Sequence, residues 1–166
     1  MNNRQNHQPK TSGIFVDQLR KVGRELTAKV IGLPYDHVRQ VPLALIEFPN
    51  SGNKVHILQP EGLQIGDTVI ASSKQLKEVK PGNSTLLRNL PVGTIVHGVN
   101  GQLARSAGQF AKIIAIEGEV AELELSSGQT KRLSVNNWAT VGKVGPRKPI
   151  QSHYHKHRFP RHFRPV

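Results

Sequence analysis

The feature that most constrains the fold is the close spacing of turn signals along the chain. Glycine and proline, 15 and 11 of the 166 residues, separate short apolar runs, so that a turn falls about every 8–12 residues over much of the sequence. Runs of that length are too short for ordinary helices but suit strands. The pattern predicts an all-β protein made of small barrels or sandwiches.

The predicted strands form two groups, separated by a polar segment at residues 72–89 that we interpret as a linker with a turn at residues 80–83. In the first group, residues 54–58 alternate polar and apolar side chains, as a half-buried strand does. In the second, residues 120–125 alternate apolar residues with glutamates. The predicted strands are residues 27–31, 41–48, 54–58, 68–70, 94–97, 111–116, 120–125, 130–134 and 140–144.

The two groups predict two modules. The first has the size of an OB-type barrel and the second that of an SH3-like barrel. We therefore predict an all-β fold in which an OB-type barrel is followed by an SH3-like barrel and an extended basic C-terminal tail. The predicted boundaries are a flexible arm at residues 1–12, the OB-type barrel at 13–83, the SH3-like barrel at 84–145 and the His/Arg-rich tail at 146–166.

The net charge of +12, from 23 Lys and Arg against 11 Asp and Glu, is concentrated near the end of the chain. Residues 126–166 contain nine of the cations and none of the acids, which gives this quarter of the chain +9. A basic segment without acidic residues repels itself until it binds a polyanion, and nucleic acid is the polyanion that we expect. A purely solubilising tail is the alternative, although solubility is usually obtained with mixed charges.

Several function classes find little support in the sequence. The chain has no cysteine, which excludes disulfides and thiolate metal sites. No apolar run approaches the ~18 residues of a membrane helix, and residues 1–10 contain no apolar signal segment. There is no Gly-x-Ser-x-Gly elbow or phosphate-binding glycine loop. We therefore expect no enzyme activity, cofactor, small-molecule substrate or membrane partner.

The tail alternates histidine with basic and aromatic residues from His153 to Arg164. Three histidines spaced by two could bind Zn²⁺ or Ni²⁺, but the chain has no cysteine and no acidic residue near them, so we expect no metal site. The pattern favours an RNA-binding tail, in which Lys and Arg meet phosphates while Tyr154, Phe159 and Phe163 stack on unpaired bases.

A loop in the second module places one basic residue among small ones. Residues 101–108 read Gly-Gln-Leu-Ala-Arg-Ser-Ala-Gly. Small side chains let a backbone approach closely, and a single arginine in such a loop suits bidentate contact with phosphate or a guanine edge. Taken alone, the residues leave open that Arg105 is merely a solvent-exposed loop arginine.

This loop and its flanking segments resemble the universal large-subunit ribosomal protein that is numbered two in the bacterial naming. Residues 90–94, 101–108 and 139–145 have the order and spacing of that family. Upstream, residues 35–39, Tyr-Asp-His-Val-Arg, are similar to its Tyr-Asp-Pro-Asn-Arg turn, and residues 57–63 to its Ile-Leu-Ala-Pro-Lys-Gly-Leu segment. The likeness spans about residues 14–145.

The resemblance implies an OB-type barrel followed by an SH3-like barrel, bound to large-subunit ribosomal RNA near the peptidyl-transferase region, among neighbouring ribosomal proteins. The arginines of the family's two RNA-contacting motifs correspond to Arg39 and Arg105. A free RNA-binding, chaperone-like module that acts in translation outside the ribosome is the alternative. The predicted RNA-binding residues are Arg39, Lys54, Lys80, Arg88, Gln102, Arg105, Ser106, Lys143, Arg147, Lys148, Lys156, Arg158, Arg161 and Arg164.

Departures from the family pattern predict that some RNA contacts are lost or changed. Residues 99–101, Val-Asn-Gly, replace a basic Lys-Pro-Gly-Lys/Arg-Gly segment; Glu61 stands in place of a lysine and Trp138 in place of an arginine. After Gly145 the family's His-Pro-His-Gly-Gly-Gly extension is absent and a different basic tail follows. We expect a separate polypeptide to carry that extension; outright loss is the alternative.

The divergence from the family pattern favours an organellar ribosome. We expect a mitochondrial location, in the matrix, with the plastid or the bacterial cytoplasm as alternatives. No clear Arg/Ser-rich transit peptide is seen at the start of the chain, so we expect a protein that is encoded where it works or a mature form.

The tail should contribute to the salt dependence of RNA binding. Residues 146–166 contain six Lys and Arg and no acid. If about five of these cations neutralise phosphates, deleting the tail should lower the slope of log affinity against log salt concentration by roughly 3.5–4.5. Filter binding of the full-length and truncated chains to large-subunit RNA over a salt series measures the two slopes, and equal slopes would contradict the assignment.

Overall fold

The computed structural model describes residues 25–149. These residues form eleven strands, one short 3₁₀ helix at Leu87–Asn89, and no α-helix. No helix in this part of the chain is long and apolar enough to cross a membrane. The strands are β1 (Leu26–Gly32), β2 (Tyr35–Asp36), β3 (Val41–Glu47), β4 (Lys54–Leu58), β5 (Thr68–Ala71), β6 (Ser84–Leu86), β7 (Ile95–His97), β8 (Ala111–Glu117), β9 (Val120–Leu125), β10 (Thr130–Ser134) and β11 (Trp138–Val141).

One continuous sheet path runs through both halves of the molecule. Its strand order is β10-β9-β8-β7-β11-β6-β5-β1-β3-β2, and β4 pairs with β3 off this path. The pairs are antiparallel except for the parallel contact between β5 and β6, at Ala71 and Ser84. That contact joins the first half, made of β1 to β5, to the second, made of β6 to β11. The all-β architecture is that of an OB-type barrel followed by an SH3-like barrel.

Each half encloses its own apolar core. The first contains the inward residues of β1, β3, β4 and β5, among them Val30, Ile46 and Val69, which are fully buried. The second contains those of β7, β8, β9 and β11, among them Val96, Ile113 and Leu123. Burial of each such side chain stabilises the fold by about 1.5–3 kcal/mol relative to exposure. The apolar residues that alternate along β9 are therefore the ones that face this second core.

A third apolar cluster joins the two barrels. Val41, Leu43 and Leu58 of the first barrel pack against Val144, which follows β11 in the second, and Ala107 lies against this group. We call these five residues the junction cluster. Trp138 forms another contact between the barrels, since it lies on β11 and packs against the core of the first barrel.

Backbone hydrogen bonds reinforce this junction. The Glu61 N–H donates to the Lys143 carbonyl oxygen, and the Gly145 N–H donates to the Gln59 carbonyl oxygen, both at 2.8 Å. Pro60 and Val144 form an antiparallel bridge between these two bonds. The segment after β11 thus adds to the edge of the first barrel as a short strand would.

The structure confirms each of the nine predicted strands but moves the last one. The predicted strand at residues 140–144 is β11 at Trp138–Val141, because Gly142, with a φ of +111°, turns the chain out of the sheet. The segment at residues 35–36, predicted as part of a turn, instead pairs with β3 as β2.

The interpretation of residues 72–89 as a linker is wrong from Ser84 onward. Ser84–Leu86 is β6, the strand that connects the two halves of the sheet, and the 3₁₀ helix follows it. Its polar residues are buried and paired: the Ser84 and Thr140 hydroxyls lie 2.8 Å apart, and the Thr85 hydroxyl donates to the Lys74 carbonyl oxygen. A hydrophobic pattern does not reveal such a strand, because its buried side chains are hydroxyls.

The arm predicted at residues 1–12 and nearly all of the tail predicted at residues 146–166 lie outside the described residues. Of the tail, only residues 146–149 are described. The boundary predicted between residues 83 and 84 coincides with the start of β6, and the limits of the modules stay predictions.

Close packing at Gly142 predicts a large effect of adding a single methyl group. A Cβ there would lie 2.9 Å from Pro60 Cβ and 3.3 Å from Pro81 Cβ, in a left-handed backbone conformation. We expect Gly142→Ala to lower the free energy of unfolding by about 2–4 kcal/mol in urea denaturation. Gly128→Ala is the matched control, because Gly128 has a φ of +88° but open space around its Cβ position; it should cost about 1–2 kcal/mol. Equal losses would contradict the steric argument.

His97 predicts a loss of stability in mild acid. Its ring is 2% exposed and Nδ1 lies 2.8 Å from the Gly142 carbonyl oxygen, so the neutral ring donates from Nδ1. Burial lowers the pKa of His97 from 6.5 to about 4, and the hydrogen bond to Gly142 opposes that change only in part. In the unfolded chain the ring takes up a proton near its ordinary pKa, whereas the folded chain resists until about pH 4.

Because of His97, the free energy of unfolding should therefore fall by about 3 kcal/mol as the pH drops from 6.5 to about 4, and it should level off below that pH. Thermal or urea unfolding across pH 4–7 measures the change. His97→Asn retains a donor for Gly142 but does not titrate, so the variant should have a shallower acid slope than the parent. Identical slopes in both proteins would show that His97 is not the responsible group.

Candidate nucleic-acid interface

The turn between β2 and β3 holds Arg39 at the edge of the first barrel. Asp36, whose side chain is only 8% exposed, accepts the backbone N–H groups of Val38 and Arg39 through Oδ1, at 2.9 and 3.0 Å. Its other oxygen lies 4.0 Å from Arg39 Nε. Gln40 adopts a φ of 55° and leads the chain into β3. The carboxylate thus fixes both the turn and the direction of the arginine, whose side chain is 45% exposed.

A compact loop presents Arg105 from the second barrel. The Gly98 N–H donates to the Ala104 carbonyl oxygen, and Val99 and Leu103 form an antiparallel bridge at its base. Ala104, with a φ of 54°, redirects the chain just before the half-buried Arg105. At the far end, the Gly108 N–H is shared between the carbonyl oxygens of Val144 and Gly145. The loop is therefore tied to the segment that joins the barrels.

The two arginines meet in one cleft at this junction. Arg39, Val41 and Leu58 of the first barrel and Arg105 and Ser106 of the second line a cleft of about 460 Å³. Val41 and Leu58 belong to the junction cluster, so the packing that joins the barrels also forms the floor of the cleft.

Further cations follow the same junction. Lys143 Nζ lies 5.7 Å from the centre of the Phe110 ring and 3.9 Å from Glu61 Oε1. Lys148 Nζ lies 5.0 Å from the centre of the Tyr35 ring, and its backbone N–H donates to the Tyr35 hydroxyl at 3.2 Å. With Arg39, Arg105 and the exposed Arg147, these lysines make five cations, of which Arg39 lies beside Asp36 and Lys143 beside Glu61. We call these five residues the basic face.

The outer surface of the second barrel has a different electrostatic character. Four glutamates lie on the hairpin of β8 and β9, and cations of the same barrel balance them. Arg88 Nη2 lies 3.3 Å from Glu119 and Arg132 Nη2 lies 3.9 Å from Glu117. Across the strands, Arg132 is opposite Glu122 and Lys112 is opposite Glu124. The cationic excess is therefore at the junction and not on this hairpin.

Comparison with known families gives two matches, one for each half of the chain. Residues 6–71 match the family described as Ribosomal Proteins L2, RNA binding N-terminal domain. Residues 80–163 match the family described as Ribosomal Proteins L2, C-terminal domain. The chain belongs to the ribosomal protein L2 family. L2 proteins are structural, RNA-binding constituents of the ribosome, and this role applies to the chain.

The L2 matches extend beyond the likeness expected from the motifs. They begin at residue 6 and end at residue 163, whereas the motifs set limits near residues 14 and 145. The segment expected to be a different tail therefore still matches the L2 C-terminal domain over most of its length. Motifs identify only the best-marked positions of a family, and a basic segment without such marks escapes them.

The structure brings together some of the predicted L2 RNA-binding residues and separates others. Arg39, Arg105 and Ser106 line the cleft, with Lys143, Arg147 and Lys148 on the adjoining segment, and Gln102 is exposed on the Arg105 loop. Lys80 and Arg88 instead lie beside carboxylates, and Lys54 lies on β4 opposite Glu47. Lys156, Arg158, Arg161 and Arg164 lie outside the described residues.

Lys80 and Arg88 each have a carboxylate partner within the protein. Lys80 Nζ lies 2.5 Å from Glu78, whose hydrogen bond and charge raise the pKa of that lysine. Arg88 contacts both Glu119 and Asn136. Lys54 is opposite Glu47 on the paired strands β3 and β4. The roles of all three in RNA binding stay predictions, and Lys80 and Arg88 would exchange an internal partner for RNA.

Sequence reasoning missed the aromatic residues that accompany the cations. Tyr35 and Phe110 lie under Lys148 and Lys143, and neither is among the predicted site residues. Tyr35 begins the turn at residues 35–39 whose resemblance to the family drew attention to Arg39, so the sequence could have pointed to it. Nothing in the sequence marks Phe110. Trp138, in place of the expected arginine, packs between the barrels. No cluster of three or more potential metal ligands occurs in residues 25–149, and the tail histidines lie beyond them.

Proposed function

We propose that this chain is a structural constituent of the large ribosomal subunit and binds its ribosomal RNA at the junction of the two barrels, near the peptidyl-transferase region. The observation that carries this proposal is the convergence of Arg39 and Arg105, one from each barrel, on a single cleft. The likeness to the L2 family supports the choice of ligand.

The chemistry of the cleft suits an RNA backbone. A guanidinium presents several N–H donors in a planar fork, which matches the oxygens of a phosphate or the edge of a guanine. Ser106 adds a hydroxyl to the wall of the same cleft, and hydroxyl groups commonly hydrogen-bond phosphate or sugar oxygens. Because both arginines are held by compact turns, little ordering is needed when RNA binds.

The charge distribution gives the protein a preferred orientation on RNA. The basic face consists of five cations, two of which lie beside a carboxylate, whereas cross-strand partners balance the glutamates of the β8–β9 hairpin. A polyanion is attracted to the side with the excess positive charge. The basic face would therefore contact RNA, and the hairpin would point away from it.

Replacement of the cleft arginines should weaken RNA binding. We expect Arg39→Ala and Arg105→Ala each to cost about 1–3 kcal/mol, and the double variant to deviate from the sum because both side chains line one cleft. Filter binding to large-subunit RNA at fixed salt measures these changes. Both residues lie on turns outside the apolar cores, so the unfolding temperature should change little.

Arg132→Ala is the matched control for this experiment. It removes the same side chain from β10, where Arg132 faces Glu117 and Glu122. We expect its affinity for RNA to remain within about twofold of the parent. Equal weakening in Arg132→Ala and Arg39→Ala would indicate undirected attraction and contradict a specific cleft.

Co-sedimentation separates the ribosomal role from the alternative of a free RNA-binding, chaperone-like module. Stoichiometric association with large subunits in high salt supports the former, and ready release into a free pool supports the latter. Chemical footprinting of the subunit RNA with and without the protein tests the proposed position near the peptidyl-transferase region. The mitochondrial location and a separate polypeptide with the His-Pro-His-Gly-Gly-Gly segment stay predictions.

A further inference from the structure

The tip of the β2–β3 turn displays an apolar and an aromatic side chain to solvent. Val38 is 74% exposed, and His37 beside it is exposed as well. Neither belongs to the two barrel cores or to the junction cluster. The core packing of residues 25–149 therefore does not explain these two side chains.

The turn holds this tip in a defined orientation. Asp36 binds the backbone N–H groups of Val38 and Arg39, and its carboxylate is almost fully buried. The His37 ring makes a T-shaped contact with Tyr35, with ring centres 5.1 Å apart and planes at 68°. A tip ordered in this way loses little conformational entropy when it binds a partner.

Positive charges flank the tip on two sides. Arg39 follows Val38 directly and lines the cleft, while Lys148 lies over the Tyr35 ring that His37 contacts. A nucleotide offers the complementary pattern, a flat apolar base attached to negatively charged phosphates. Aromatic side chains bind unpaired bases by stacking while neighbouring Lys and Arg contact the backbone.

The two hydrogen bonds that form this turn do not involve the backbone N–H of residue 37, because Asp36 accepts from residues 38 and 39. A proline at position 37 therefore leaves both hydrogen bonds in place.

We propose that His37 and Val38 bind an unpaired base of the large-subunit RNA. The His37 ring stacks on the base and Val38 packs against its edge or sugar, while Arg39 and Lys148 contact the flanking phosphates. This contact rests on the proposed RNA-binding function. It adds a site of base recognition to a face whose arginines contact phosphates.

Three variants of the full-length chain test the proposal, with in-vitro-transcribed large-subunit ribosomal RNA as the probe. His37→Ala removes the stacking ring, His37→Phe retains an uncharged ring, and the double change His37→Pro with Val38→Asn removes both the ring and the apolar side chain. We expect the first and third to raise Kd roughly 5- to 150-fold. His37→Phe should bind as the parent does, and the salt slope of the double variant should be unchanged.

Chemical probing of the same complexes locates the contact. An unpaired nucleotide should be protected by the parent and by His37→Phe, and should become reactive again with His37→Ala. Parent-like affinity and protection in both His37→Ala and the double variant, while Arg39→Ala binds weakly, would overturn the base contact and leave the proposed function intact. Equal losses in His37→Phe and His37→Ala would overturn stacking. RNA binding by the parent no tighter than by the Arg39→Ala, Arg105→Ala double variant would instead overturn the proposed function.

Discussion

The geometry of this protein depends on the four residues that follow β11. Residues 142–145 leave the second barrel at Gly142, bond to the edge of the first barrel through Lys143 and Gly145, and bury Val144 among Val41, Leu43 and Leu58. The sheet continues from one barrel to the other through a single parallel residue pair, which by itself constrains the orientation of the barrels only weakly. The backbone bonds and apolar contacts of this segment therefore fix how the two barrels face one another.

The five residues of the basic face lie together only because the two barrels are docked to one another. Arg39 lies on a turn of the first barrel and Arg105 on a loop of the second, and the Gly108 N–H ties that loop to Val144 and Gly145. If the barrels moved independently, the arginines would be two isolated surface cations. Because the docked barrels hold both arginines in place, the two guanidinium groups line one cleft. The entropy lost in bringing them together is lost when the protein folds, and not when a ligand binds. Stability at the junction and the geometry of the cleft are thus linked properties of the same segment.

Much of the fold could be predicted from the sequence, because period-two patterns and turn residues act locally. Strands such as β4 and β9 were predicted with the bounds that the structure shows. β6 escaped because Ser84 and Thr85 are buried as hydrogen-bonded hydroxyls, which no apolar pattern marks. Arg39 and Arg105 were identified through motifs, but their meeting in one cleft depends on inter-barrel contacts that local patterns do not encode. The separation of Arg88 from the basic face has the same cause, since its partner Glu119 lies on a distant hairpin.

The departures from the family pattern become coherent when they are placed on this framework. Trp138 replaces an expected arginine and packs between the barrels, which exchanges a possible RNA contact for apolar burial. Glu61, in place of a lysine, lies 3.9 Å from Lys143 and donates its backbone N–H to the carbonyl oxygen of that residue. Both changes lower the positive charge near the seam and add contacts across it. Cations on either side of the junction repel one another when no polyanion is bound. Fewer cations at the junction therefore mean less repulsion between the two barrels. In this chain the Trp138 packing and the Glu61–Lys143 pair both favour the docked arrangement of the two barrels, and the cations at the junction are positioned by that arrangement.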